Sequence, residues 1–302
     1  MTIGITGASG FLGTNLKSYL SKDNCMVIEE IPRQALRPDS AIELVELASI
    51  VHMAGKAHDL KNVSDPAEYY QVNFELTKRL YDAFLLSSAR KFIFISSVKA
   101  VADHPDGILT EKHHPVPETP YGKSKLLAEE YIQKQRLPAG KSYFILRPCM
   151  IHGRGNKGNL NLLFKFVRKR IPYPLAGFDN KRSFLSVENL CFVIKELITR
   201  EDIESGVYNV ADDATLSTNQ VISIISSTLN IKTPQWKIDP KIIAFLAKIG
   251  DRLQLPLTTE RLSKLTEDYQ VSNQKIKQAI KKELPLTAAQ GIAITIRSFD
   301  NS

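Results

Sequence analysis

The nonapeptide ITGASGFLG near the N-terminus spaces three glycines, Gly7, Gly10 and Gly13, three residues apart. Glycine inside a helix or strand costs about 0.5–1 kcal/mol relative to alanine, so the spacing needs a compensating interaction. The peptide follows a predicted strand over 2–6 and opens a predicted helix over 11–20. In this context Gly7 permits a tight turn, Gly10 lets a pyrophosphate approach the helix N-terminus, and Gly13 lets helix and strand pack closely. The pattern predicts a dinucleotide site.

Short apolar runs alternate with helical patterns through the first half of the chain. The predicted strands cover residues 2–6, 25–31, 50–53, 92–95 and 142–147, and the predicted helices cover 11–20, 69–88 and 121–135. This alternation predicts an α/β fold of the Rossmann type, with a doubly wound parallel sheet. The residue pattern changes near Pro148, where glycines and polar residues become frequent at 152–159. We therefore expect a dinucleotide-binding domain over 1–150 and a smaller, mainly helical domain over 151–302. A late strand near 206–211 is expected to return to the first domain.

Composition excludes several classes of protein. The net charge is +8, but the basic residues are scattered and are not interleaved with aromatic residues, which argues against nucleic-acid binding. A basic balance also suits an anionic substrate in a cleft. There is no apolar run of membrane-span length and no signal-peptide pattern, so we expect no membrane insertion. Cys25, Cys149 and Cys191 are odd in number and far apart, which argues against disulfides or a metal site and favours the cytoplasm.

Several further motifs follow the glycines in order along the chain. They are VHMAG at 51–55, VNFELT at 72–77, FISSV at 94–98, YGKSK at 121–125 and RPCMIHGRG at 147–155. With the G-x-x-G-x-x-G spacing, they resemble the extended branch of the short-chain dehydrogenase/reductase superfamily. That branch contains NAD(P)-dependent epimerases, dehydratases and reductases of nucleotide sugars. The resemblance covers most of the chain, implies that the second domain binds a nucleotide sugar, and leaves a homodimer open.

Tyr121 and Lys125 stand four residues apart on a predicted helix, so their side chains share one face. The resemblance implies that Tyr121 is the acid/base, and that Lys125 lowers its pKa and holds the nicotinamide ribose. A free tyrosine has a pKa near 10, which is too high for an efficient base at neutral pH. The resemblance also implies that Ser97 binds the reacting oxygen. We prefer Ser97 to Ser96 because the family's role belongs to the residue that closes the serine pair.

The resemblance implies a cofactor site built from several segments. Its residues are Gly7, Ser9, Gly10, Phe11, Leu12, Gly13, Met53, Ala54, Gly55, Asn73, Tyr121, Lys125 and Pro148. The choice of dinucleotide depends on the end of the second strand. Arg33 there would pair with a 2′-phosphate, which favours NADP, whereas Glu29 or Glu30 would accept the ribose hydroxyls of NAD in a shifted register.

The segments KGNLNLLFKF and NKRSFLSVENL resemble the family's substrate-binding segments. Asn159 aligns with an asparagine that touches the sugar diphosphate, and Arg182 aligns with an arginine that holds the phosphates. Arg261 is either a second phosphate or uridine contact or an ordinary surface cation. The guanidinium fork matches phosphate geometry. For Cys149 and His152 we expect packing roles.

The residues that follow the two serines distinguish the dehydratases, epimerases and reductases of the resembled family. Dehydratases carry two acidic residues where this chain has Val98 and Lys99, so we expect no dehydration and assign Lys99 to the substrate site. Epimerases read Val-Tyr-Gly where this chain reads VAD at 101–103. The first hypothesis is therefore a 4-ketoreductase of a UDP-N-acetylhexosamine derivative in surface polysaccharide synthesis. The alternatives are a UDP-sugar 4-epimerase with retained NAD and a non-catalytic dinucleotide-sensing protein.

Overall fold

The structure, a computed structural model, describes residues 1–37, 40, 42, 44–56, 65–156, 159–253 and 258–300. The chain divides into two units. The first comprises Met1–Cys149, Val187–Ala211 and Val271–Pro285, and the second comprises Met150–Ser186, Asp212–Gln270 and Leu286–Ser302. The two later segments of the first unit lie beyond the boundary predicted near residue 150. The division is therefore discontinuous in sequence, and the residues of the strand expected near 206–211 lie in the first unit.

The secondary structure is as follows. The strands are β1 (Thr2–Thr6), β2 (Val27–Ile31), β3 (Ser49–His52), β4 (Lys91–Ile95), β5 (Ile108–Leu109), β6 (Ser142–Pro148), β7 (Met150–His152), β8 (Phe184–Ser186), β9 (Gly206–Val210) and β10 (Gln270–Val271). The α-helices are α1 (Phe11–Leu20), α2 (Pro66–Tyr69), α3 (Leu76–Leu86), α4 (Pro120–Lys134), α5 (Asn159–Arg168), α6 (Val187–Thr199), α7 (Thr218–Thr228), α8 (Pro240–Leu253), α9 (Thr259–Thr266), α10 (Gln274–Ile280) and α11 (Ala288–Asp300).

The first unit is built on a six-stranded sheet in the order β2-β1-β3-β4-β6-β9, with every neighbouring pair parallel. This confirms the doubly wound α/β fold. All residues of β3 and β4 are buried, as expected for parallel strands covered on both faces. The strand order changes direction at β1, which has β2 on one side and β3 on the other. Ligands of such sheets bind beyond the carboxyl ends of the strands at this switch point.

The second unit contains α5, α7, α8, α9 and α11, together with the parallel pair of β7 and β8. Its core is a cluster of buried apolar side chains that includes Phe164 of α5, Ile222 of α7 and Ile292 of α11. Ser217 starts α7 with a capping box, since its hydroxyl accepts from the Gln220 amide and the Gln220 side chain accepts from the Ser217 amide. No α-helix among the described residues is long and apolar enough to cross a membrane.

The helix predicted over 69–88 is interrupted. It consists of α2, then a π-helical segment at Tyr70–Glu75, then α3. A π-helix hydrogen-bonds with a wider turn than an α-helix, is rare, and occurs frequently at functional sites. Here it contains Asn73, one of the residues expected at the cofactor site.

Candidate active site

The three glycines of the first turn differ in what a side chain would meet at each position. Gly7 has a φ of 70°, and a Cβ on it would lie 2.8 Å from the Ala54 amide nitrogen. A Cβ on Gly13 would lie 2.2 Å from the Gly7 carbonyl oxygen. A Cβ on Gly10 would meet only that same oxygen, at 3.2 Å. Gly7 and Gly13 are therefore required by packing within the protein, whereas Gly10 borders open space.

A cavity of about 500 Å³ lies at this turn, which is within the range of small-molecule sites. It is lined by Gly7, Ala8, Ser9, Gly10, Glu30, Ile31, Pro32, Arg33, Gln34, Leu36, Met53, Ala54, Gly55, Val72 and Leu76. These residues follow the carboxyl ends of β1, β2 and β3 or face them from the helical segment after β3. The cavity therefore occupies the switch point of the sheet.

Seven of the residues predicted to bind the cofactor line this cavity: Gly7, Ser9, Gly10, Arg33, Met53, Ala54 and Gly55. Phe11, Leu12 and Gly13 instead form the first turn of α1. Sequence reasoning missed Val72 and Leu76, although they lie four residues apart within the quoted VNFELT motif and so share a helix face. It also missed Pro32 and Gln34, the neighbours of Arg33.

The residues present fit a dinucleotide. The N-cap of α1 is Gly10, so no side chain caps the first amides of this helix, and its first turn carries no acidic residue. Uncapped amides and the helix dipole together favour a phosphate group at this end. The open space beside Gly10 leaves room for that phosphate.

Asn73 holds the segment that follows β3. Its Oδ1 accepts from the Lys56 amide at 2.8 Å, and its Nδ2 donates to the Lys56 carbonyl at 3.2 Å and to Ser124 Oγ at 3.1 Å. A Cβ on Gly55 would lie 2.9 Å from Asn73 Oδ1 and 3.2 Å from Lys125 Nζ. Gly55 therefore allows the cavity wall to lie directly against both side chains.

A buried histidine links β1, β3 and the π-helical segment. Thr77 Oγ1 donates to the Asn73 carbonyl at 2.7 Å, so it accepts from His52 Nε2 at 2.9 Å. His52 Nδ1 then accepts from Thr6 Oγ1 at 2.7 Å, a tautomer assigned from the hydrogen-bond pattern. Burial, with a smaller contribution from the charge of Lys125, lowers the pKa of His52 to about 3. His52 is therefore a neutral structural link and is not a proton carrier at neutral pH.

The two serines after β4 have different partners. Ser97 forms a hydrogen bond with the Tyr121 phenol and accepts from the Lys99 amide at 3.2 Å. Ser96 donates instead to the buried Glu129 carboxylate. Burial raises the pKa of Tyr121 above its usual value of 10, and the hydrogen bond from Ser97 only partly opposes this rise.

Lys125 lies deep in the first unit. Its Nζ donates to the Ile95 carbonyl at 2.9 Å and lies 4.7 Å from the centroid of the Phe94 ring. Burial lowers the pKa of Lys125 to about 8, against a smaller opposing effect of Glu129. In the protein alone burial raises the pKa of Tyr121, and the ammonium of Lys125 is directed at the Ile95 carbonyl. That Lys125 and a cationic nicotinamide together lower the pKa of Tyr121 stays a prediction.

Lys99 and Asp103 hold the start of the helix that carries Tyr121. Lys99 Nζ donates to the Asp103 carbonyl at 2.8 Å and lies 3.7 Å from its Oδ1. The Asp103 Oδ2 accepts from the amides of Glu118 and Thr119 at 3.0 and 3.3 Å, immediately before α4. Asp103, the last residue of the VAD sequence that departs from the epimerase pattern, thus stabilises the segment directly before α4. The sequence predicts a substrate contact for Lys99, which stays a prediction, and predicts no role for Asp103.

A buried ion pair lies behind the serines. Arg147, at the end of β6, donates through Nε to both Glu129 oxygens at 3.1 and 3.0 Å and through a terminal nitrogen to the same carboxylate. The two residues are only 4% and 0% exposed. Pro148 follows and ends β6 as a buried residue. Nothing local in the sequence indicates this pair, because its members come from α4 and β6.

The second unit holds the residues predicted to bind the sugar diphosphate. Arg182 pairs through its backbone with Leu216, with N–O distances of 3.1 and 2.9 Å. Burial lowers the pKa of Arg182, while nearby Glu267 acts to raise it. The side chains of Asn159 and Arg261 lie outside the described part of the structure, and their backbones belong to α5 and α9.

The two residues expected only to pack are both buried. Cys149 is 7% exposed in the first unit, and His152 is 1% exposed in the second. His152 is the last residue of β7, and its Nδ1 forms a 2.9 Å hydrogen bond with Thr295 Oγ1.

The sequence was compared with known proteins. The family described as "NAD dependent epimerase/dehydratase family" matches residues 3–211, more than half of the chain. The chain belongs to the NAD dependent epimerase/dehydratase family. The recognition made from the ordered motifs is thereby confirmed, as is the prediction that the protein is an enzyme of the nucleotide-sugar epimerase/reductase type that uses NAD(P).

Relatives of this epimerase/dehydratase chain carry specific names. The present chain is 28% identical over 321 residues to a UDP-glucose 4-epimerase of Vibrio cholerae, and the match covers 98% of this chain and 94% of that protein. It is 30% identical over 253 residues to N-acetyl-alpha-D-glucosaminyl-diphospho-ditrans,octacis-undecaprenol 4-epimerase of Escherichia coli O157:H7, covering 78% and 74%. The fold matches that of RMD from Pseudomonas aeruginosa complexed with NADPH, with a TM-score of 0.76, 20% identity and coverage of 100% and 99%.

Proposed function

We propose that this enzyme transfers hydride at C4 of a UDP-activated sugar, and that it is a 4-ketoreductase of a UDP-N-acetylhexosamine derivative. The observation that carries the proposal is the hydrogen bond between the buried Ser97 and the half-buried Tyr121, with the buried Lys125 one helical turn further on. Gly55 lies between the cavity and these catalytic residues. It lines the cavity, and a Cβ added to it would lie 3.2 Å from Lys125 Nζ.

When bound, the dinucleotide supplies or accepts the hydride. Tyr121 donates its proton to the sugar oxygen during reduction, and Ser97 hydrogen-bonds the same oxygen. The raised pKa of Tyr121 keeps the phenol protonated at neutral pH, which is the state that reduction of a ketone requires. Oxidation of a sugar hydroxyl would instead require the phenolate. The preference for a reductase rests on Arg33 at the cavity and on the VAD sequence at 101–103, where epimerases of the resembled family read Val-Tyr-Gly.

NADP is the proposed dinucleotide. Arg33 lines the cavity at the switch point, and Arg33 and Arg37 both line an adjoining cavity of about 610 Å³. Arginine suits a 2′-phosphate because it offers a bidentate fork of donors. Glu30, one of the carboxylates considered for NAD, lies 2.6 Å from Lys17 Nζ and so already has a cationic partner.

Dehydration is not proposed. Val98 and Lys99 occupy a short 3₁₀ helix directly after Ser97, where dehydratases of the resembled family carry acidic residues. Lys99 Nζ is engaged with Asp103. Neither residue can supply the acid pair for elimination of water.

The odd number and wide spacing of the three cysteines support the cytoplasm as the compartment. The presence of Ser97, Tyr121 and Lys125 together supports an enzyme over a sensing protein.

Two alternatives rest on relatives. The Vibrio cholerae protein, similar over 98% of the chain, is named a UDP-glucose 4-epimerase and supports the epimerase alternative with retained NAD. The Escherichia coli protein acts, by its name, on a sugar carried by a polyprenol diphosphate. A sugar linked through diphosphate to a lipid is thus a second candidate substrate, because its diphosphate is chemically like that of a UDP-sugar.

The test compares Tyr121→Phe with Tyr131→Phe, a tyrosine of the same helix whose hydroxyl donates to Asp82. With NADPH and a UDP-4-keto-hexosamine, we expect turnover to fall by about two or more orders of magnitude in Tyr121→Phe only. Near-normal turnover in that variant would show that another group carries the proton. NAD that stays bound on purification, with interconversion of UDP-N-acetylglucosamine and its C4 epimer and no net use of NADPH, would establish the epimerase instead.

A further inference from the structure

Helix α8 of the second unit exposes large apolar side chains along one face. They are Ile242 (55% exposed), Phe245 (63%), Leu246 (46%) and Leu253 (65%). The opposite side of the helix places Ile243 and Ala247 in the apolar core of the unit. The helix therefore has two apolar faces, only one of which is needed to hold it in the fold.

The exposed residues form a continuous stripe. At about 100° per residue they fall within an arc of about 100°, and they extend over about 16 Å of the helix. A single exposed leucine is ordinary on a protein surface, but an aligned row of this size marks an interaction site.

A row of basic residues borders the stripe. Lys241, Lys248 and Arg252 are exposed and lie next to Phe245 on the same side of the helix by the same angular count. Trp236, 54% exposed, precedes the start of α8 by four residues. Phenylalanine, leucine and tryptophan beside a cationic row are typical of helices that lie in a bilayer interface. Interfaces between proteins, by contrast, are depleted in lysine.

We propose that α8 is a membrane-docking surface that lies along the headgroup region of an anionic bilayer. The apolar stripe enters the acyl boundary, and Lys241, Lys248 and Arg252 contact acidic headgroups. The helix lies beyond the family match at 3–211, so this surface is not part of what defines the family. Docking would give access to a lipid-linked sugar diphosphate, but the binding itself is independent of the proposed reaction.

The test measures binding to vesicles, with no substrate present. Trp236 is the sole tryptophan of the chain and is exposed four residues before α8, so its emission reports on the segment that leads into this helix without signals from other tryptophans. With vesicles of phosphatidylglycerol and phosphatidylcholine, we expect a blue shift of the emission and cosedimentation, both weakened by salt. With phosphatidylcholine alone we expect much weaker binding.

Three variants locate the contact. Phe245→Ser combined with Leu246→Ser should lower the partition constant about 100-fold, because about one tenfold step is lost for each buried side chain. Lys248→Gln should lower it about fivefold on anionic vesicles and leave neutral vesicles unaffected. The control is Leu86→Ser on α3, where an apolar side chain is 91% exposed in the other unit, and its binding should equal that of the wild type.

Turnover of a soluble UDP-sugar should be unchanged in all these variants, which separates a failure of docking from a failure of the proposed reaction. The proposal is overturned if the wild type does not bind anionic vesicles, or if Leu86→Ser loses binding as strongly as the α8 variant. It is also overturned if the α8 substitutions only dissociate a dimer in sedimentation and vesicles are not bound. That result would assign the stripe to contact between two copies of the chain.

Discussion

Replacing Lys125 by methionine is expected to stabilise the fold of the dinucleotide-free protein while abolishing its turnover. Burial lowers the pKa of Lys125 from 10.5 to about 8, which corresponds to about 3 kcal/mol of unfavourable free energy for the ammonium in the folded state. Methionine has a similar length and no charge, but it leaves the Ile95 carbonyl without its 2.9 Å partner, which costs about 1–1.5 kcal/mol. The net expectation at pH 7 is a free energy of unfolding higher by about 1.5–2 kcal/mol.

The effect must depend on pH in a defined direction. Because the folded-state pKa lies below that of the unfolded chain, the folded protein binds fewer protons at this site between pH 8 and 10.5. The free energy of unfolding of the wild type therefore gains from Lys125 as the pH rises through this window. The advantage of Lys125→Met should shrink and then disappear by about pH 10.

Urea denaturation at pH 7 and pH 10, without dinucleotide, measures both points. Lys123→Met is the matched control, since Lys123 is exposed on the same helix and should change stability by less than about 0.5 kcal/mol. A Lys125→Met protein that is less stable than the wild type at pH 7, or a difference that does not vary with pH, would refute the reasoning. The expected outcome would show a functional residue kept at the expense of stability.

Three further predictions concern the same unit. Gly13→Ala places a Cβ 2.2 Å from the Gly7 carbonyl oxygen, so we expect loss of dinucleotide binding in calorimetry, and unchanged affinity would contradict the packing argument. Arg33→Ala should weaken NADPH binding by about 1.5–3 kcal/mol and leave NADH nearly unaffected, whereas equal effects in titrations would identify Arg33 as an ordinary surface residue. Glu129→Gln leaves a buried arginine without its counter-charge and should lower the free energy of unfolding by about 3–5 kcal/mol in urea. The neighbouring exposed Glu130→Gln should lower it by less than about 1 kcal/mol, and similar losses in both would show that burial does not govern the effect.

The strands and the turn were predictable because their signals are local. The predicted segments 2–6 and 11–20 match β1 and α1 residue for residue, and β9 lies at the strand expected near 206–211. An apolar run, a glycine turn and a helical period each depend on a few neighbouring residues, so they can be recognised without knowing the fold.

The parts that sequence reasoning missed depend on distant partners. Glu129 and Arg147 lie 18 residues apart on different elements, and neither has a local signal for burial. The lowered pKa of Lys125 follows from the depth at which α4 packs, which no spacing encodes. Asp103 was noted only as a departure from a family pattern, because its hydrogen bonds to Glu118 and Thr119 exist only once the loop is folded.

The π-helical segment at Tyr70–Glu75 determines which insertions and deletions this helix tolerates. A wide turn arises when one extra residue is accommodated within a helix without displacing either end, and each residue of an α-helix advances it by about 100°. Removing a single residue there would restore a uniform helix but rotate Asn73 or Thr77 away from its partner. The helix thus has two rotational phases, one matched to the Lys56 backbone and the other to His52. Substitutions along it can be tolerated individually, whereas a one-residue deletion would rotate either Val72 or Leu76 away from the wall of the cavity at the switch point.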